Sequence, residues 1–169
     1  MRVRIKTGSI NMLSQASLDK IAIEVAKYPP EQAQSAVMGA LRIAQNETGW
    51  VSPEVMTEVA QILGMPPVAV QEVATFYNMY DLKPVGKHKI TVCTNLPCAL
   101  SGGVAAADYL KQKLGIGFNE TTADGQFTLK EGECMGACGD APVLLHNNHK
   151  MCSFMSTEKL DAMLQELSQ

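Results

Sequence analysis

Apolar residues in this 169-residue chain recur with a helical period up to about residue 80 and with a strand period after Pro84-Val85-Gly86. Leu18, Ile21, Ala22, Val25 and Ala26 fall on one face of a first helix, which Pro29-Pro30 ends. Ala33, Ala36, Val37, Ala40, Leu41 and Ala44 repeat the pattern as a second helix closing near Thr48-Gly49. Ser52-Pro53-Glu54 opens a third: a capping hydroxyl, a proline in the first turn, and an acid at the positive helix end. Val55, Val59 and Leu63 continue it and Gly64 closes it. Pro66-Pro67 opens a fourth carrying Val70, Val73, Ala74 and Tyr77. Short connections between four such helices predict a small antiparallel bundle over residues 1–84.

Beyond the boundary, Lys89-Ile90-Thr91-Val92 reads as a strand and Ser101 to Leu114 as a helix entered through Gly102-Gly103. Phe127-Thr128-Leu129-Lys130 alternates as a half-buried strand. Val143 to His146 and Lys150 to Phe154 form a hairpin around Asn147-Asn148. A last helix starts at Ser156 or Thr157 and presents Leu160, Met163, Leu164 and Leu167 on one face. The predicted class is α+β: a helical bundle (1–84) followed by a small α/β domain (85–169).

Several function classes are disfavoured at once. A net charge of −3 and 5 % aromatics do not suit a nucleic-acid binder. Arg2, Arg4 and Lys6 precede no apolar run of signal-peptide length, so a cytoplasmic location is expected. The uncharged stretch from Ile90 to Ala107 holds Asn95, Pro97 and Gly102-Gly103 and is rejected as a membrane span. There is no G-x-S-x-G elbow, no phosphate-cradling loop and no G-x-G-x-x-G after a strand. No catalytic residue stands out.

Chemistry concentrates in the cysteines. Cys93 and Cys98 form a C-x4-C pair, and Cys134 and Cys138 a C-x3-C pair; each follows a predicted strand and lies in turn-rich sequence. Three readings stay open on spacing alone. A [2Fe–2S] cluster needs four thiolates, two per iron. Structural zinc also takes four cysteines but usually in C-x2-C knuckles, which neither pair has. A thiol–disulfide site wants C-x-x-C at a helix start, which is absent.

The stretch Asp124 to Pro142, with Cys134-Met-Gly136-Ala-Cys138-Gly-Asp-Ala-Pro142 at its core, resembles the motif of the 24 kDa [2Fe–2S] subunit family of NADH:quinone oxidoreductase, complex I. Cys93-Thr-Asn-Leu-Pro-Cys98, Gly49-Trp50-Val51 and Val73-Ala-Thr-Phe-Tyr77 are similar to that family as well, so the resemblance runs from about residue 18 to 165. It implies a thioredoxin-like domain in the second half, with Cys93, Cys98, Cys134 and Cys138 binding one [2Fe–2S] cluster. It further implies an electron-transfer subunit that does not itself oxidise NADH. FMN and NADH would belong to a partner flavoprotein, beside further iron–sulfur subunits in the peripheral arm of a membrane-associated complex. The equivalent diaphorase subunit of an NAD-linked hydrogenase or formate dehydrogenase is the alternative host, and a zinc-stapled interaction module the alternative class.

Glu131, Glu133 and Asp140 flank the second cysteine pair with only Lys130 to offset them, which predicts a low cluster potential. Cys152, mid-strand, is expected to be a buried structural thiol. His88, His146 and His149 are expected at the surface or in turns. Trp50 is expected to pack between helices, and Val73 to Tyr77 between the two halves.

Overall fold

A computed structural model describes residues 12–169; the charged start, Arg2 to Lys6, lies outside them. The chain divides into two units that meet in sequence at Pro84 and Val85. The first is all helical: α1 (Gln15–Val25), a 3-10 segment (Pro30–Ala36), α2 (Val37–Thr48), α3 (Pro53–Leu63) and α4 (Pro67–Phe76). Local chemistry starts and stops these helices. Ser14 and Ser52 accept backbone N–H groups of Ser17 and Val55 as N-caps. α2 and α3 end on Gly49 and Gly64 in the left-handed conformation.

Ile21, Leu41, Val51, Val55, Val59 and Val70 are fully buried in the core of this unit. Burying one such side chain is worth about 1.5–3 kcal/mol. Two buried polar side chains tie distant segments to that core. Glu58 accepts the backbone N–H groups of Met12 at 2.8 Å and Leu13 at 3.2 Å. Gln45 donates to the Met79 carbonyl at 2.9 Å and accepts from the Asp81 N–H at 2.6 Å.

Two expectations need correction here. The single helix predicted from Ala33 is a 3-10 segment followed by α2, with Gln32 outside helical φ/ψ. The three-residue spacing of Ala33 and Ala36 is shared by both helix types, so periodicity could not separate them. Trp50 is partly exposed and lies outside the group of residues that packs this core. Phe76 of α4 is 80 % exposed.

The second unit carries β1 (His88–Cys93), α5 (Leu96–Leu100), α6 (Gly103–Leu114), β2 (Glu120–Thr121), β3 (Phe127–Gly132), a 3-10 turn (Cys138–Asp140), β4 (Leu144–His146), β5 (Lys150–Cys152) and α7 (Thr157–Leu167). The sheet order is β2-β3-β1-β4-β5. β1 and β3 are parallel, and the other neighbours are antiparallel. A parallel pair needs a crossover, and α6 lies within it. Ile90, Val92, Leu129 and Leu144 pack with Leu110 of α6 and Leu160 and Leu164 of α7 in one core. Asn147 and Asn148 both have positive φ, and the His149 N–H closes the turn on the His146 carbonyl at 3.0 Å. That is the geometry of a tight two-residue hairpin turn, and asparagine tolerates it. Among the described residues no helix is long and apolar enough to cross a membrane.

Candidate metal centre

Parallel pairing brings the two cysteine-bearing segments to one edge of the sheet. Cys93, the last residue of β1, stands in register with Gly132, the last residue of β3. The segments that follow both strands therefore leave from one edge, at the carboxyl ends of parallel strands, where α/β sheets commonly place ligands. Cys98 returns to this edge on α5, a one-turn helix where sequence reading expected only a loop. Asn95-Leu96-Pro97 was the available signal: an N-cap residue with proline in the first turn. α6 must start close by, because a Cβ on Gly103 would lie 2.8 Å from the carbonyl oxygens of both Cys93 and Cys98. In the second loop Gly136 has φ +73°, which lets the chain reverse between Cys134 and Cys138.

The Cys134 and Cys138 sulfurs are 3.8 Å apart. Two thiolates on one tetrahedral ion with metal–sulfur bonds of about 2.3 Å would be separated by about 3.8 Å. Cys93 and Cys98 are 1 % exposed and form a small apolar group with Val143, flanked by Met135, Ala137 and Ala141. Burial, and then a hydrogen bond donated to Cys93, raise the Cys98 thiol pKa, with a smaller push from Cys138. A hydrogen bond donated to Cys134 raises that of Cys138, which also feels Cys93. Cys98 and Cys138 thus each feel the thiol of their own pair and one thiol of the other, and that repulsion opposes their ionisation. Only a cation among them relieves that repulsion, so the donor set suits a metal-thiolate group. Among the described residues no three His, Cys, Asp or Glu side chains form a group that could hold a metal ion; the thiols stand as a buried pair and an exposed pair. Two pairs fit two irons.

The flanking acids are engaged. Glu131 accepts from Thr94 Oγ1 at 2.6 Å, Glu133 from Asn95 Nδ2 at 3.3 Å, and Asp140 from Ser153 Oγ at 3.0 Å. Cys152 ends β5 opposite Leu144 and packs against the sheet core instead of joining the four. The expected surface or turn role fails for His88 alone; His146, half-buried, closes the hairpin turn as expected. His88 is 9 % exposed, and its Nδ1 lies 3.1 Å from His146 Nε2. These residues are far apart in sequence, and only β1–β4 pairing makes them neighbours. Surface beside Cys98 is apolar: Leu96 is 71 % and Leu100 81 % exposed.

Residues 21–168 match the family described as thioredoxin-like [2Fe–2S] ferredoxin. NADH-quinone oxidoreductase subunit 2 of Thermus thermophilus is 42 % identical over 139 residues, 82 % of this chain and 77 % of that protein. An NADH-quinone oxidoreductase subunit of Rickettsia bellii is 41 % identical over 161 residues, 92 % of this chain and 96 % of that protein. The mitochondrial NADH dehydrogenase [ubiquinone] flavoprotein 2 of Dictyostelium discoideum is 41 % identical over 80 % of this chain and 55 % of its own length. A crystal structure of an NAD+-reducing [NiFe]-hydrogenase shares the fold, with TM-score 0.68 at 20 % identity. That match covers 78 % of this chain and only 22 % of the hydrogenase chain. The sequence relatives are oxidoreductase subunits, which supports a redox role. With a family match over nearly its whole length, the chain belongs to the thioredoxin-like [2Fe–2S] ferredoxins.

Proposed function

We propose that Cys93, Cys98, Cys134 and Cys138 hold one [2Fe–2S] cluster, and that the chain is an electron-transfer subunit of an NADH-quinone oxidoreductase. The observation that carries this is the convergence of two cysteine pairs at one sheet edge, with Cys134 and Cys138 at a one-ion spacing of 3.8 Å. The names of the bacterial relatives, matched over most of their length, support the host enzyme. In this reading FMN and NADH belong to a partner flavoprotein subunit, and the assembly is the peripheral, cytoplasmic arm of a membrane-associated complex. Residues 1–84 fix the subunit in that assembly, and residues 85–169 carry the cofactor.

Bound at this edge, such a cluster supplies a one-electron redox couple. This chain's residues do the rest. Cys93 and Cys98 sit in an apolar group that keeps water from one side, while Cys134 and Cys138 open the other side to a partner. Glu131, Glu133 and Asp140 hold negative charge alongside and disfavour an added electron.

Iron and zinc analysis with low-temperature EPR on anaerobically purified protein tests the reading. About two irons per chain and an S = 1/2 signal after dithionite are expected. Serine at any of the four positions should abolish both, while Cys152→Ser should keep both. Stoichiometric zinc without iron or signal would replace this function with a structural-zinc module.

A further inference from the structure

We propose that the hydrogen bonds Thr94–Glu131 and Asn95–Glu133 form a clamp that sets the spacing between the two cysteine pairs; this rests on the [2Fe–2S] reading above. The backbone ladder between β1 and β3 ends at Cys93 and Gly132. Past that point the two segments diverge, one into α5 with Cys98 and the other into the loop with Cys134 and Cys138. Side chains at and just past the end of the ladder link the two segments: Thr94 and Asn95 follow Cys93, Glu131 is the last-but-one residue of β3, and Glu133 precedes Cys134. Thr94 Oγ1 donates to Glu131 Oε1 at 2.6 Å, and Asn95 Nδ2 to Glu133 Oε2 at 3.3 Å. Both bonds join groups well separated in sequence, so they report tertiary placement and not local turn formation.

Asn95 supplies a second observation. It occupies the N-cap position of α5 with the extended backbone of a capping residue, yet its side chain makes no capping bond. Asparagine at that position ordinarily satisfies a helix N–H. Here the side chain reaches across to the other cysteine segment instead. Each acceptor is a carboxylate, which makes a stronger hydrogen bond than a neutral oxygen. The same carboxylates place charge beside the thiolates, so the clamp both spaces the ligands and opposes reduction. Thr94, Asn95, Glu131 and Glu133 are positioning residues: they act through the cysteines.

The test uses the full chain with its cluster and two readouts, the rate of iron loss to a chelator and the EPR-monitored midpoint potential. Thr94→Val removes the donor and keeps the carboxylate. It should lose iron on the order of five- to tenfold faster, the scale of one solvent-exposed hydrogen bond, and broaden the reduced signal. Glu131→Ala should match it, and the double variant should be no faster than either single one, because one interaction is lost only once. Glu131→Gln keeps an acceptor and removes the charge: iron loss should stay near wild type while the potential rises, less so at high salt. Wild-type iron-loss rates in both single variants, or effects that multiply in the double, would overturn the clamp. An unmoved potential in Glu131→Gln would overturn the carboxylate's part. A wild-type protein without two irons and an S = 1/2 signal would remove the [2Fe–2S] reading and the clamp with it; a loaded wild type with indifferent variants removes the clamp alone.

Discussion

Gly103→Ala is the sharpest single perturbation of this site. The new methyl carbon would lie 2.8 Å from the carbonyl oxygens of Cys93 and Cys98 and 2.9 Å from the Cys98 carbonyl carbon. Unstrained carbon contacts sit near 3.5 Å, so the shortfall is about 0.7 Å against each atom. All three atoms are backbone atoms of proposed ligands, so no flexible side chain can yield. Overpacking of this kind costs about 1–3 kcal/mol, and alanine returns at most about 1 kcal/mol through helix propensity. With most of that return realised, the net loss is up to about 2 kcal/mol, or a fall in melting temperature of up to roughly 15 °C for a domain of this size. The relief that remains is to move the start of α6 away from β1, which displaces Cys98 from Cys93. Iron content should therefore fall together with stability. Gly139→Ala is the matched control: it lies in the same site, nothing stands within 4 Å of its Cβ position, and its change should stay within about 0.5 kcal/mol. Melting by circular dichroism with iron quantified on the same anaerobic samples decides it. If Gly103→Ala melts with wild type and keeps its iron, the close approach of α6 to the cysteines does not matter to the site.

Three more outcomes can be checked by standard unfolding assays. Gln45→Leu removes the buried bonds to Met79 and Asp81; a loss of about 1–3 kcal/mol should appear as a lower urea midpoint. Leu110→Ala, at a fully buried position between α6 and the sheet, should cost about 2–5 kcal/mol in the same assay. Burial, then Lys87, lowers the His88 pKa; burial, then His88 and Lys150, lowers that of His146. With folded values below the unfolded value near 6.5, the unfolded chain binds more protons as pH drops. Stability should therefore be complete above pH 6.5 and decline as pH falls from there toward the folded values. His146→Gln should flatten that slope in urea titrations run from pH 7.5 to 5.

Much of the secondary structure was legible because its causes are local. Ser52-Pro53-Glu54 and Gly64 bracket α3 by cap chemistry alone, and the structure places the Ser52 hydroxyl on the Val55 N–H. Asn147-Asn148 announced a tight hairpin because few other residues accept positive φ twice in succession. The misses are also physical. The 3-10 segment before α2 shares its three-residue spacing with an α-helix. Helix α5 is a single turn, too short for any period to register. His88 looked like a strand-end surface residue because its partner, His146, is distant in sequence.

The chain's linear order was enough to nominate Cys93, Cys98, Cys134 and Cys138 as candidates and to set Cys152 apart, because spacing and neighbouring turn residues are carried along the backbone. It could not say that Cys93 and Cys98 are buried while Cys134 and Cys138 face outward, or that Glu131 and Glu133 reach Thr94 and Asn95. Those facts depend on β1 and β3 lying parallel with Cys93 opposite Gly132. A register between strands so far apart in sequence is settled by the shared core of Ile90, Val92, Leu129 and Leu110, and by no local preference of either strand.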